Sequence, residues 1–151
     1  MNPFFTDHLN LLKKCHTDIH KALKGLPPEA LDWVPGRDMN SICVLVYHLT
    51  GAERFWIGDV AMNEPSNRDR DAEFKVRGLG EEFLCKRLDD SYAYAAAALE
   101  KISLQDLEAP RITSRGTFTV GWALLHALEH SMLHLGHLEI TRQLWEQRGL
   151  N

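Results

Sequence analysis

The chain contains no run of about 18 apolar residues, the least that a membrane-crossing helix needs. Its first residues, Met1 to Asp7, show neither the charged nor the apolar segment of a secretory leader. Cysteine is scarce: Cys15, Cys43 and Cys85 are widely spaced, odd in number, and form no C-x-x-C pair. That pattern excludes a disulfide framework and a thiolate zinc site, and it predicts three reduced, buried thiols. These absences together predict a cytoplasmic location. A basic excess is also missing, since 17 Lys and Arg stand against 21 Asp and Glu, for a formal charge of −4. Nucleic acid is therefore a poor partner, because binding its phosphates needs a concentrated basic surface. There is no P-loop, no dinucleotide fingerprint and no nucleophile elbow.

What is present is an ordinary globular composition, 44% apolar and 25% charged over 151 residues, read as a single domain spanning 1–151. Four stretches carry helical periodicity. The first runs from about Asn2 to Leu26, with Phe5, Leu9, Leu12, Cys15, Ile19 and Leu23 on one stripe, and stops at Gly25 and Pro27-Pro28. The second opens at Asn40-Ser41, either of which can cap it, and fades near Met62. A charged, turn-rich segment from Asn63 to Gly80 reads as an exposed crossover. The third runs from about Glu81 to Ile102. An extended linker is expected from Ser103 to Thr119, and Thr119 then caps a fourth helix reaching about Gln147. The expected fold is all-α, a four-helix bundle with long crossover connections. Trp33, Trp56, Trp122 and Trp145 are expected in the core.

Histidine is concentrated. Of eight, four (His126, His130, His134 and His137) lie within twelve residues of the last helix. At 100° per residue they share an arc of roughly 80°, with Leu133 close by, so the imidazoles are expected to face the bundle. Several imidazoles on one inward stripe need a common partner, and a divalent metal is one. The alternative is hydrogen bonding within the core or a solvated edge. His48, at the edge of the second helix's apolar stripe, offers a further ligand. His8, His16 and His20 flank the first helix's stripe and read as packing or interface residues. No Glu-x-x-His or His-Glu-x-x-His occurs, which excludes the di-iron carboxylate bundle and the zincin helix.

Trp33-Val34-Pro35-Gly36, Ser41-Ile42, Val46-Tyr47-His48-Leu49 and His126-x-x-x-His130-x-x-x-His134-Leu135-Gly136 together resemble the DinB-like (damage-inducible) superfamily of metal-binding four-helix bundles, which includes the YfiT-type and thiol-transferase branches. The resemblance covers nearly the whole chain. It implies that His48, His130 and His134 hold the metal, that His126 is not a ligand, and that His137 stands where a Gly-Gln ending is commoner. It also implies a homodimer, and a transferase chemistry using low-molecular-weight thiols.

Three imidazoles leave coordination positions open, whereas a structural zinc site is closed by four protein ligands. A metal at such a site lowers the pKa of a bound thiol or water. Zinc or nickel is expected first, with iron and manganese compatible. Two function classes follow: a metal-dependent thiol transferase or hydrolase acting on a small-molecule thiol and an electrophile, or a non-catalytic bundle with a structural or vestigial metal. No second catalytic group is evident. Glu129 is rotated about 100° from His130, Glu139 and Arg142 read as surface residues, and Tyr47 reads as packing beside His48.

Overall fold

The computed structural model describes residues 1–149. Helix α1 spans Pro3–Leu23; the Asn2 side chain accepts from the Phe4 N–H at its start, and Gly25, at φ +74°, turns the chain away at its end. A one-turn helix α2 (Pro28–Asp32) leads to α3 (Ile42–Glu53), where Ser41 Oγ accepts from Val44 N at 3.2 Å, fulfilling the expected cap. The second helix does not continue uniformly to Met62. From Arg54 to Ala61 it widens into a π-helix. After the one-turn α4 (Arg70–Glu73) come α5 (Glu81–Leu99) and a 3₁₀ turn at Leu104–Glu108. Two short antiparallel strands follow, β1 (Pro110–Thr113) and β2 (Gly116–Thr119), with Arg111 opposite Phe118. Thr119 caps the 28-residue α6 (Val120–Gln147).

The expected all-α bundle is therefore present, with α1 and α3 each packed against both α5 and α6. The segment expected as an extended linker is instead a capped turn and a hairpin. Its Phe118 stacks on Trp122 with ring centroids 4.3 Å apart, and Arg111 donates to the Ala61 carbonyl. The tryptophans are not all core. Trp56 is buried, Trp33 and Trp145 are half-buried against each other, and Trp122 is 41% exposed. Arg142 is more than surface decoration. Its Nη1 donates to the carbonyls of Lys21, Ala22 and Lys24, which the end of α1 leaves without intrahelical donors.

The apolar interior falls into two clusters. One gathers Phe5, Leu12, Trp56, Ile57, Leu99 and Leu124; the other gathers Ile19, Leu31, Ile42, Leu49, Leu88 and Leu138. Between them lies a buried polar layer drawing one side chain from each long helix. Glu53 of α3 accepts from His16 of α1 (2.8 Å), from the Ser131 hydroxyl of α6 (2.6 Å) and from the Ser91 hydroxyl of α5. Glu53, His16 and Ser131 are almost wholly buried. A carboxylate is tolerated there because three donors converge on it.

Candidate metal centre

The three imidazoles expected to act together do converge. His48 from α3 and His130 and His134 from α6 each offer a ring nitrogen within 4.8 Å of the other two. One helical turn separates His130 from His134, and their Nε2 atoms stand 3.2 Å apart. The His48 ring lies 5.1 Å, centroid to centroid, from both.

The donor set fits a metal ion. Two nitrogens bound at 2.0–2.1 Å to a tetrahedral ion lie about 3.3–3.4 Å apart, close to the separation of the two Nε2 atoms. Ligation needs neutral imidazoles. Burial, and then the neighbouring imidazoles, push His130 down to about 3; burial, then His48 and His137, push His134 down to about 4. Both rings are uncharged at neutral pH, with lone pairs to offer.

His48, 5% exposed, is held by residues that the sequence did not single out. Its Nδ1 lies 2.8 Å from Glu73 Oε2. An ionised carboxylate can only accept, so Nδ1 carries the proton and the Nε2 lone pair is free for a ligand. Arg68 in turn grips Glu73 through two bonds, Nε to Oε1 at 2.6 Å and Nη2 to Oε2 at 2.7 Å. Burial pushes the Glu73 carboxyl up, but the Arg68 fork and His48 outweigh it and hold it below its usual range. Gly51, one turn along α3 from His48, makes this contact possible, because a Cβ there would lie 2.1 Å from Glu73 Oε1. The crossover from Asn63 to Gly80 is thus not merely exposed. It carries Arg68 and the buried Glu73 onto α3, and lays Phe74 against the His48 ring at 4.7 Å.

The other histidines divide as follows. His137 is exposed, and its Nδ1 lies 3.4 Å from His134 Nδ1. His126 stacks on Trp122 at 4.6 Å and bonds Glu129 at 3.0 Å, outside the triad. Leu133 is exposed, so the histidine stripe lies at the margin of the core and not within an apolar face. His16 belongs to the buried polar layer, His8 is buried, and His20 bonds Asp89. Tyr47 is half-buried under the Arg87 guanidinium, 3.6 Å from its ring centroid. The cysteines are free thiols, Cys15 and Cys43 buried and Cys85 partly so. Burial pushes Cys15 up to about 12 and Cys43 up to about 11, so neither supplies a thiolate at neutral pH.

No helix among the described residues is long and apolar enough to cross a membrane. The sequence profile of the DinB superfamily matches residues 11–138. In fold the chain is similar to a crystal structure titled as a conserved protein of a locus from Enterococcus faecalis, with a TM-score of 0.79 and 16% identity, over 95% of this chain and 98% of that one. No curated protein matches the chain.

Proposed function

The chain belongs to the DinB superfamily, and from that premise we propose that His48, His130 and His134 hold one divalent metal, zinc or nickel, at a site that transfers a low-molecular-weight thiol to an electrophile or hydrolyses a substrate. The observation that carries this reading is the convergence of three imidazoles from two helices, two of them kept neutral by burial and the third braced by a buried carboxylate. When bound there, such a metal supplies Lewis acidity that lowers the pKa of a thiol or water in an open position.

The chain's own residues do the rest by position and exclusion. Glu73 keeps the proton on His48 Nδ1 and fixes the ring's orientation. Arg68 keeps Glu73 ionised and immobile. Phe74 covers one face of the His48 ring and keeps water from it. The buried cysteines do not compete for the reaction, so the thiol comes from outside the chain.

A second reading rests on the triad's position across two helices. His48 lies on α3 and the other two on α6, so an ion there would pin the pair together and serve the fold alone. Metal analysis of the purified protein comes first, and less than a tenth of an equivalent would sink both readings. His48→Ala then separates them. Loss of thiol conjugation with an unchanged melting temperature supports the enzyme, whereas a lowered melting temperature without lost turnover supports the structural metal.

A further inference from the structure

One cavity of about 280 Å³ opens beside the triad, between α6 and the segment that enters α3. His134 and His137 form one wall; Met39, Leu45 and Ile140 are the apolar lining, and Asp38, Asn40 and Thr141 the remaining polar residues. Met39 and Ile140 are 45% and 52% exposed, because the cavity is open. The tight turn before α3 holds Met39 in place. Asp38 sits there at φ +61°, a left-handed conformation that Asp tolerates better than most residues, and Met39 N donates to the Gly36 carbonyl.

The charge of the lining decides what the cavity admits. The cavity between α3 and α5 and the one between α3 and the crossover both contain Arg54 and Arg87, and the one between the ends of α1 and α6 contains Lys21 and Arg142. The cavity beside His134 contains no Lys or Arg, and its one acidic residue is Asp38, whose side chain is 90% exposed at the rim. Among its polar groups, the Thr141 hydroxyl already donates to the His137 carbonyl at 2.8 Å. Arg37, the cation next to the rim, is paired with Asp38 at 3.7 Å, so an anion entering would lose hydration and find no unpaired Lys or Arg within the lining. An apolar group would cover Met39, Leu45 and Ile140.

We infer that this cavity binds an uncharged apolar group, a short alkyl chain or a single ring of about ten non-hydrogen atoms at ordinary packing density, and that it turns carboxylates away. Calling that group part of the substrate rests on the metal-site reading; the cavity's selectivity does not. The electrophile is then the apolar reactant, seated against His134.

The test uses the metal-free full-length chain, carbon-13 labelled at its Met and Ile methyl groups, titrated with 1-butanol, 1-pentanol, 1-hexanol and hexanoate. The alcohols should shift the Met39 and Ile140 methyl signals saturably, tightening roughly fourfold per added methylene. Hexanoate should bind at least tenfold more weakly than hexanol. Ile140→Asp, at a half-exposed site, should abolish alcohol binding, and Met39→Asn should weaken it. Equal or tighter binding of hexanoate, unmoved Met39 and Ile140 signals, or unchanged binding in both variants would overturn the inference. Cobalt titration of the same sample reads the metal site separately. Hexanol binding without cobalt uptake removes the proposed function and upholds the cavity. Cobalt uptake without hexanol binding removes the cavity's role alone.

Discussion

Replacing Glu73 by Gln tests whether the crossover tunes the three-histidine site or merely covers it. The substitution preserves side-chain shape and leaves an amide oxygen to accept from His48 Nδ1, while removing the charge. A hydrogen bond to a charged group contributes about 1.5–3 kcal/mol and a neutral one about 0.5–1.5. The lost increment is therefore about 1–1.5 kcal/mol, roughly a tenfold loss in metal affinity. Glu73→Ala removes the acceptor as well, leaving the His48 Nδ1–H and the Arg68 guanidinium without their partner. Its loss should approach a hundredfold, the upper end for residues that support a metal ligand. Zinc affinity is measured by competition with a chromogenic chelator, with circular dichroism confirming that each variant retains its helices. The reasoning is refuted if Glu73→Gln and Glu73→Ala both bind zinc within twofold of the parent while His48→Ala does not.

Three other outcomes are expected. Gly51→Ala brings a methyl onto Glu73 Oε1 and should reproduce the affinity loss of Glu73→Ala; unchanged zinc binding would show that the carboxylate has room to shift. Glu53→Ala removes the common acceptor of His16, Ser131 and Ser91 and should destabilise the fold by about 3–5 kcal/mol, read from urea unfolding. The metal-free protein should lose stability as pH falls from about 6.5 toward 4. The unfolded chain takes up protons on His130 and His134 near their ordinary value, whereas the folded chain resists until about 3 and 4. Thermal melts at pH 7, 5.5 and 4.5 test this, and His134→Gln should flatten the dependence; a parent midpoint that does not move would contradict it.

The histidine stripe of the last helix could be read from sequence because helical spacing is a local property, whereas the choice of His48, His130 and His134 came from the family resemblance. Histidines four apart lie one turn apart wherever the helix goes, and the caps at Ser41 and Thr119 fix where α3 and α6 begin. Glu73 had no such signal. It lies among Asp69, Asp71 and other charged residues, and what distinguishes it from them is its burial and its contacts with Arg68 and with His48, 25 positions away. Phe74 and Val76, apolar residues in a charged stretch, were the clue that this segment docks. Glu53 was hidden in the same way, since its partners come from three other helices. Trp122 was misplaced for a further reason: the linker that folds against it forms a hairpin, and the indole sits at the bundle's edge between Phe118 and His126, 41% exposed.

The polar layer around Glu53 has a consequence for the three-histidine cluster, which it does not touch. Leucine against leucine slides cheaply, so two purely apolar seams would let α6 slip by a turn relative to α3 at little cost. Glu53 forbids that slip. Moved one turn, it would face Ala127 or Leu135 in place of Ser131, leaving a carboxylate stranded in hydrocarbon. Ser131 adjoins His130, and Glu53 is on the same helix as His48, so the pin that indexes the two helices also indexes the three histidines. Apolar residues on either side can drift among similar volumes while the three nitrogens keep their alignment.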